Sequence, residues 1–293
     1  MELRVLQYFL TVAREMTISG AAEELHITQP TLSRQMKELE EEIGKPLFIR
    51  GNRSITLTDE GLLLKNRAIE IMSLVEKTQA ELSMNSMLSG DIYIGAGESE
   101  GMRIIAKVIN KMQEKYPQIK FHIYSGNAED VMNKLDNGLL DFGILMEPTN
   151  MSKYDFLRLP VKNIWGILMR KDDSLASLQS ITRDILKDLP LICSNQRLVK
   201  NELAGWLGGN DRKLNIISTY NLLYNASLIA QEGHSYVLCF DNIIYTGTDS
   251  LLCFKPLEPK LEAGINVVWR KYQLFSKSSE EFLKLLKEEV CML

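Results

Sequence analysis

The stretch that decides the fold runs from Ser19 to Arg50 and reads SGAAEELHITQPTLSRQMKELEEEIGKPLFIR. Within it, apolar residues recur at intervals of four, three and four, which places them on one stripe of a helix with 3.6 residues per turn. The residues of this stripe are Leu32, Met36, Leu39 and Ile43. We expect the stripe to be buried and the other faces of the helix to meet water or a partner.

A shorter helix precedes this one. Ala21, Ala22 and Leu25 would let the two helices cross closely, and His26 falls in the turn between them. A left-handed backbone is often needed in such a turn, and His is among the residues that tolerate it. Two helices joined by so tight a turn indicate a helix-turn-helix, whose second helix enters the major groove of duplex DNA.

The start of the second helix predicts how DNA would be read. Thr28 is placed to cap the helix, with Pro30 in its first turn, where a missing N–H costs nothing. We expect the polar N-terminal half of the helix to contact DNA bases and the basic residues that follow, Lys37, Arg50 and Arg53, to contact mainly phosphates. The predicted base readers are Gln29, Thr31, Ser33 and Arg34. The full set of predicted DNA-binding residues is Thr28, Gln29, Pro30, Thr31, Ser33, Arg34, Lys37, Arg50 and Arg53.

The motif from Ala21 to Arg50 is long and ungapped, and it resembles the signature of the LysR-type transcriptional regulators. The QP, SR and LE pairs, the G-K-PLF run and the terminal Arg all stand in register. The resemblance implies an all-α winged helix-turn-helix domain over residues 1–58, a linker helix and hinge over 59–89, and a two-lobed α/β effector domain of the periplasmic-binding-protein type over 90–293. Double-stranded DNA and a small-molecule effector are the implied partners, with RNA polymerase as a further one.

The charge of the first sixty residues argues against strong binding by one copy. They hold seven Lys or Arg against ten Asp or Glu, although five of the seven bases lie between Arg34 and Arg53. Phosphate contacts supply most of the affinity of such domains. We therefore expect that two or more copies are needed.

The segment after Thr58 carries a repeat that fits such an assembly. Apolar residues alternate at spacings typical of a short coiled coil, and two interpretations are open: a dimerisation helix, or a helix packed on its own domain. The first predicts a homodimer, with a tetramer as the next level of assembly. The residues predicted for dimerisation are Leu64, Ala68, Ile71, Val75 and Leu82.

From Asp91 onward, strand and helix patterns alternate, which favours a parallel sheet with helices on its faces. Following the resemblance, we expect a first lobe of about 90–161 and 265–293 and a second lobe of about 162–264. The chain would cross between them near Val161 to Asn163 and near Leu261 to Ile265. We also expect Ser278 and Glu281 to form a capping box that opens the last helix.

Polar residues at strand ends would face the crevice between these lobes. The glycine-rich turn from Gly95 to Gly101 contributes some of them; a dinucleotide-binding loop is the alternative there, but its third Gly and its acidic residue are out of place. The predicted effector-binding residues are Gly97, Glu98, Ser99, Asn127, Glu147, Ser194, Asn195, Arg197, Tyr220 and Asn221. Those that directly follow strands equally fit a role as helix caps. Glu98, Glu100 and Glu147 disfavour a dianionic effector unless Arg197 and the helix N-termini outweigh them.

The remaining patterns favour a regulator over an enzyme. The three histidines, His26, His122 and His234, show no catalytic or metal-ligand spacing, so we expect no catalytic residue, no metal and no cofactor. Four widely spaced cysteines favour reduced core residues over a redox switch. No leader peptide or membrane span is evident, so we expect a cytoplasmic protein that contacts no membrane. The alternatives are a cofactor-binding or redox-sensing regulator of the same architecture and a non-regulatory solute-binding protein.

Overall fold

The computed structural model describes residues 1–51, 54–82, 88–196, 203–208 and 214–293. The chain forms two compact units, Met1–Ser83 and Met84–Leu293. Each unit is built around cores of its own, and each is described in turn.

The described residues of the first unit form four helices and a two-stranded wing. Its elements are α1 (Leu3–Glu15), α2 (Ile18–Glu24), α3 (Gln29–Ile43), β1 (Phe48–Arg50), β2 (Ile55–Leu57) and α4 (Asp59–Leu82). The two strands pair antiparallel, with Phe48 opposite Leu57 and Arg50 opposite Ile55. Phe9, Leu32 and Met36 are fully buried together in the centre of this unit.

The local predictions for the helix-turn-helix are confirmed in all but one residue. His26 has φ 53°, the left-handed conformation expected of the turn. The Thr28 hydroxyl accepts a hydrogen bond from Thr31 N–H, and Ala21 and Ala22 are buried. Ile43 is the exception, because it is 38% exposed at the last turn of α3 and lies outside the buried stripe.

Helix α4 packs on its own domain through part of the face predicted for dimerisation. Ala68 is fully buried, and Leu64 and Ile71 pack against the same core. The prediction is therefore wrong for Ala68, which leaves no surface for a second chain. The side chain of Leu82 lies outside the described residues. Among the described side chains of α4, the exposed large apolar residues lie elsewhere on the helix: Leu62, Leu63, Ile69 and Leu74.

The second unit alternates strands and helices around an extended sheet. Its elements are β3 (Gly90–Ala96), α5 (Met102–Lys115), β4 (Ile119–Ser125), α6 (Ala128–Asp136), β5 (Phe142–Met146), β6 (Tyr154–Arg170), β7 (Ile181–Thr182), α7 (Arg183–Leu186), β8 (Leu191–Ser194), β9 (Ile216–Tyr220), α8 (Leu223–Glu232), β10 (Tyr236–Phe240), β11 (Leu252–Glu258), β12 (Glu262–Arg270) and α9 (Lys277–Cys291). The main strand order is β4-β3-β5-β12-β6-β10-β8-β9. The mixed α/β class expected from the sequence is confirmed.

Strand β6 joins the two halves of this sheet. Its first part pairs antiparallel with β12, and its second part, from Trp165, pairs with β10 and β11. On one side of this crossing, Ile92, Phe142 and Phe282 form one core, and on the other Trp165, Leu191 and Leu238 form another. The two cores belong to the two lobes, each of which contains a further apolar cluster.

The sequence patterns missed several elements of this unit. The first half of β6 and all of β11 were not predicted, because each contains a proline, Pro160 and Pro256, which argues against an internal strand. The last helix is capped by Ser276, whose hydroxyl accepts from Ser279 N–H, so the capping box predicted at Ser278 is wrong. Ser278 instead donates to the carbonyl oxygen of Ser89, at 2.7 Å.

Candidate functional site

The predicted base-reading face of α3 is exposed in the first unit. Gln29, Thr31, Arg34 and Lys37 are exposed, and Ser33 is half-buried. Residues on one polar face of a helix's N-terminal half can meet base edges in the major groove together. Arg53 and the side chain of Arg50 lie outside the described residues, so their predicted phosphate contacts stay predictions.

Two basic side chains on α3 are paired with acidic side chains one helical turn further along. Arg34 Nε lies 3.6 Å from Glu38 Oε1, and Lys37 Nζ lies 3.3 Å from Glu41 Oε1. All four side chains are more than half exposed, so the pairs are weak and can exchange partners. The glutamates in the C-terminal half of α3 therefore partly neutralise the positive charge of its N-terminal half, which is predicted to contact DNA.

A cleft lies between the two lobes of the second unit. Its empty volume, including the part open to solvent, is about 660 Å³. Strand ends and helix starts from both lobes line it, as the fold class predicts. Seven of the ten predicted effector-binding residues line this cleft: Gly97, Glu98, Asn127, Glu147, Ser194, Tyr220 and Asn221.

The other three predicted residues are not among the cleft's lining residues. Ser99 lines a separate hollow with Asn242 and Ile243, and its buried hydroxyl has no hydrogen-bond partner in the part of the chain that the structure describes. Asn195 is exposed, and its backbone N–H donates to the carbonyl oxygen of Tyr220 at 2.9 Å. Arg197 lies outside the described residues.

Two side chains join the lobes across this cleft, each at the start of a helix in the opposite lobe. Glu98 Oε2 accepts a hydrogen bond from Leu223 N–H, the first residue of α8. Gln196 Oε1 accepts from Ala128 N–H, the first residue of α6, at 3.3 Å. Helix starts carry unsatisfied N–H groups and a partial positive charge, so both positions suit an acceptor. We call Glu98 and Gln196 the interlobe clasp.

The second carboxylate of the cleft is already paired. Arg158 Nη2 lies 3.1 and 2.9 Å from the two oxygens of Glu147, and Asn266 Nδ2 donates to Oε1 at 3.3 Å. A Cβ atom at Gly264 would lie 2.6 Å from both Glu147 Oε2 and Arg158 Nη2. A side chain at this position would therefore require the ion pair to shift.

Aromatic residues form part of the wall. Trp165 is 2% exposed, its ring centroid lies 4.1 Å from that of Phe240, and its indole N–H has no hydrogen-bond partner among the described residues. The Tyr220 hydroxyl donates to the carbonyl oxygen of Leu238 at 2.8 Å, and burial raises the pKa of that hydroxyl well above its ordinary value. Tyr220 therefore contributes a fixed, neutral surface.

Sequence reasoning missed several lining residues, among them Gln196, Trp165 and Phe240. Gln196 stands between predicted residues, so its polar side chain after β8 was a usable signal. Trp165 and Phe240 read as core strand residues, and only the pairing of β6 with β10 places them side by side.

The glycine-rich turn before α5 is explained by packing. A Cβ atom at Gly95 would lie 2.5 Å from Leu140, one at Gly97 2.5 Å from Met146, and one at Gly101 2.8 Å from Ile265. Close packing of the turn against neighbouring side chains accounts for these glycines without a nucleotide, so they lend no support to a dinucleotide-binding loop.

The buried thiols also have a structural explanation. Cys193 and Cys239 are buried in the second lobe, and burial raises the pKa of the Cys239 thiol far above its ordinary value, which disfavours the reactive thiolate. Within the described ranges, no three His, Cys, Asp or Glu side chains are grouped as a metal site would require. No helix in the described part of the chain is long and apolar enough to cross a membrane.

Comparison with known families agrees with this geometry. Residues 3–62 match the family model described as a bacterial regulatory helix-turn-helix protein of the lysR family. Residues 85–291 match the model described as the LysR substrate binding domain. The first match contains the reading helix, and the second contains both lobes and the cleft.

Individual relatives are transcriptional regulators. The chain is 25% identical over 299 residues to the Hca operon transcriptional activator HcaR of Escherichia coli (strain K12), covering 99% of this chain and 98% of that protein. It is 34% identical over 146 residues to the HTH-type transcriptional regulator BsdA of Bacillus subtilis (strain 168), which covers 49% of this chain and 50% of BsdA.

Solved structures share the fold over the full length. CbnR, a LysR family transcriptional regulator, superposes with a TM-score of 0.76 at 15% identity, covering 99% of both chains. Full-length CbnR in complex with its target DNA gives a TM-score of 0.74 at 17% identity, covering 100% of this chain and 99% of that one. With a reading helix, a two-lobed cleft and both family models matched, the chain belongs to the LysR family of DNA-binding transcriptional regulators.

Proposed function

We propose that a homodimer of this chain binds an interrupted palindrome near a promoter and that a small molecule between the lobes controls this binding. The observation that carries the proposal is the presence, in one chain, of an exposed reading face on α3 and an open cleft in the second unit. A two-fold protein reads a two-fold site, with half-sites about one helical turn or a multiple of it apart.

A second copy is supported by surface and by charge. Helix α4 exposes the apolar side chains of Leu62, Leu63, Ile69 and Leu74, which a partner helix can cover. We call the DNA-binding unit of one chain a reading head. Its first sixty residues hold more acidic than basic side chains, so the affinity of one head for the DNA phosphates is low. Pairing two heads would raise the overall affinity through the effective concentration of the second head.

Control by the effector requires a ligand that prefers one arrangement of the lobes. The interlobe clasp supplies a contact that such a ligand would strengthen or break, because Glu98 and Gln196 each join the two lobes. A change in lobe closure would then alter the spacing of the two heads. Higher assembly to a tetramer and contact with RNA polymerase at the promoter belong to the same proposal.

DNA selection with the intact chain tests the proposal. Sequences selected from a random pool should contain two inverted half-sites, and a duplex with one half-site should bind much more weakly. Arg34→Ala should cost on the order of 1–3 kcal/mol of binding free energy and relax the preference at one position of each half-site. Selection of a single asymmetric site, bound equally well as a half-site, would contradict the dimeric reading.

A further inference from the structure

The wall of the interlobe cleft is largely apolar. Ile144, Met146, Trp165, Leu222, Phe240 and Ile243 all line it. A site of this kind takes a ligand with an apolar body and uses a few polar groups to orient it. The class of ligand therefore depends on which polar groups the wall offers.

The charged groups on the described part of the wall are carboxylates. Glu98 and Glu147 line the cleft, whereas no Lys, Arg or His of the described residues does. Arg158 neutralises Glu147 through both of its oxygens. Glu98 is partly compensated by the start of α8 and carries the remaining negative charge of the lining.

Three of the backbone donors that could hold an anion at the helix starts are already used. Ala128 N–H donates to Gln196, and Asp130 N–H donates to Asn127. Leu223 N–H donates to Glu98 itself. An anionic ligand at the start of α8 would have to displace the Glu98 carboxylate and would then lie beside a like charge.

We propose that the effector is an apolar amine without negative charge, bound between the lobes with its amino group on the Glu98 carboxylate. This rests on the proposed function, because it names the ligand class of the same cleft. The described hydrogen bond to Leu223 uses Oε2 of Glu98, so Oε1 is the oxygen that accepts from the amine. The amine strengthens the clasp from the side of the cleft, since Glu98 can hold Leu223 N–H and the ligand at once.

Three matched probes test the charge preference on the unaltered protein: cyclohexylmethylamine, cyclohexylmethanol and cyclohexanecarboxylate. They share one ring and differ in the charge of the head group. Calorimetry should rank the amine tightest, about tenfold or more above the carboxylate, because an opposite charge favours binding where a like charge opposes it. A carboxylate that binds as tightly as the amine, or an amine that does not saturate at millimolar concentration, overturns the proposal.

Glu98→Gln tests the assigned residue. We expect about a tenfold loss of affinity for the amine and a much smaller change in affinity for the alcohol. The difference in affinity between the amine and the carboxylate should become smaller. Glu129→Gln is the matched control, because Glu129 is exposed in the first turn of α6 and does not line the cleft. Equal amine affinity in the Glu98 variant and the parent overturns the assignment, and the probe ranking stands as a test even where that variant fails to fold.

DNA binding in the same preparations separates this inference from the proposed function. A protein that selects an inverted repeat but prefers the carboxylate overturns the ligand class alone. A protein that binds the amine at Glu98 with no change in its DNA affinity supports the ligand class and contradicts the control mechanism.

Discussion

The Glu40 carboxylate accepts a hydrogen bond from the backbone N–H of Leu47, at 2.8 Å. The same oxygen accepts from Phe48 N–H at 3.1 Å, at the start of the wing strand β1. Glu40 is thus one of four closely spaced glutamates on α3, yet it orients the chain between the reading helix and the wing. Its charge, which weakens the electrostatic case for DNA binding, has a structural use.

Glu40→Ala should destabilise the first unit by about 1.5–3 kcal/mol, because it removes a charged acceptor from two backbone donors in the partly buried start of the wing. Chemical unfolding of the intact protein measures the change. Glu41→Ala is the control, since Glu41 makes an exposed pair with Lys37 and should change stability by less than about 0.5 kcal/mol. Equal losses in the two variants would show that Glu40 has no special role.

Glu38→Gln should raise DNA affinity several-fold. The change removes a negative charge from the reading helix and releases Arg34 from its pair at 3.6 Å. The gain should shrink as salt rises, because exposed charges are screened. Glu288→Gln removes the same charge from the second unit and serves as the control in a gel-shift titration. An unchanged affinity at low salt would contradict the prediction.

Gly61→Ala should destabilise the first unit by about 2 kcal/mol or more, because a Cβ atom there would lie 2.2 Å from the carbonyl oxygen of Leu47. That backbone cannot move without disturbing its bond to Thr58 N–H, at 3.0 Å. Thermal unfolding measures the loss. At Gly205, where no heavy atom of the described residues lies within 4 Å of an added Cβ, the same substitution should be tolerated.

Gln196→Ala should speed amide hydrogen exchange at Ala128, because the lost side chain leaves that N–H without its acceptor across the cleft. The amide of Leu223 reports the other half of the clasp and should respond more weakly. Asn195→Ala is the control, since this exposed neighbour contributes its backbone and does not line the cleft. Identical exchange at Ala128 in both variants would mean that the clasp does not hold the lobes.

Tyr154→Phe should lower stability in a pH-dependent way. Burial would raise the pKa of Asp136, but hydrogen bonds from Tyr154, at 2.7 Å, and Lys153 outweigh it and hold that pKa below its ordinary value. A lowered carboxylate pKa stabilises the fold above the unfolded-state pKa of 3.8 and loses this effect as the pH falls further.

The parent protein should therefore exceed the Tyr154 variant by about 1 kcal/mol at neutral pH, and the difference should shrink below pH ~4. Urea unfolding at a series of pH values measures both. A difference that stays constant through this range would show that the carboxylate is not the source of the effect.

The sequence by itself determined the reading head, because its information is local. The stripe of Leu32, Met36 and Leu39, the cap at Thr28 and the left-handed turn at His26 each depend on residues within one or two helical turns. Such short-range rules also predicted that strands and helices alternate after Asp91. They did not predict the first half of β6 or strand β11, each of which contains a proline.

Only the tertiary structure decided how distant residues meet. It placed Ala68 inside its own domain, because a heptad pattern does not say which surface covers a helix face. In the structure Ser99 is not among the residues that line the cleft, whereas Gln196 and Trp165 are, because the order of the strands decides which strand ends face each other. Above all, it showed that Glu98 and Gln196 each accept a hydrogen bond from the start of a helix in the opposite lobe. These partners are 125 and 68 positions away in the sequence, so no local rule can predict the contacts.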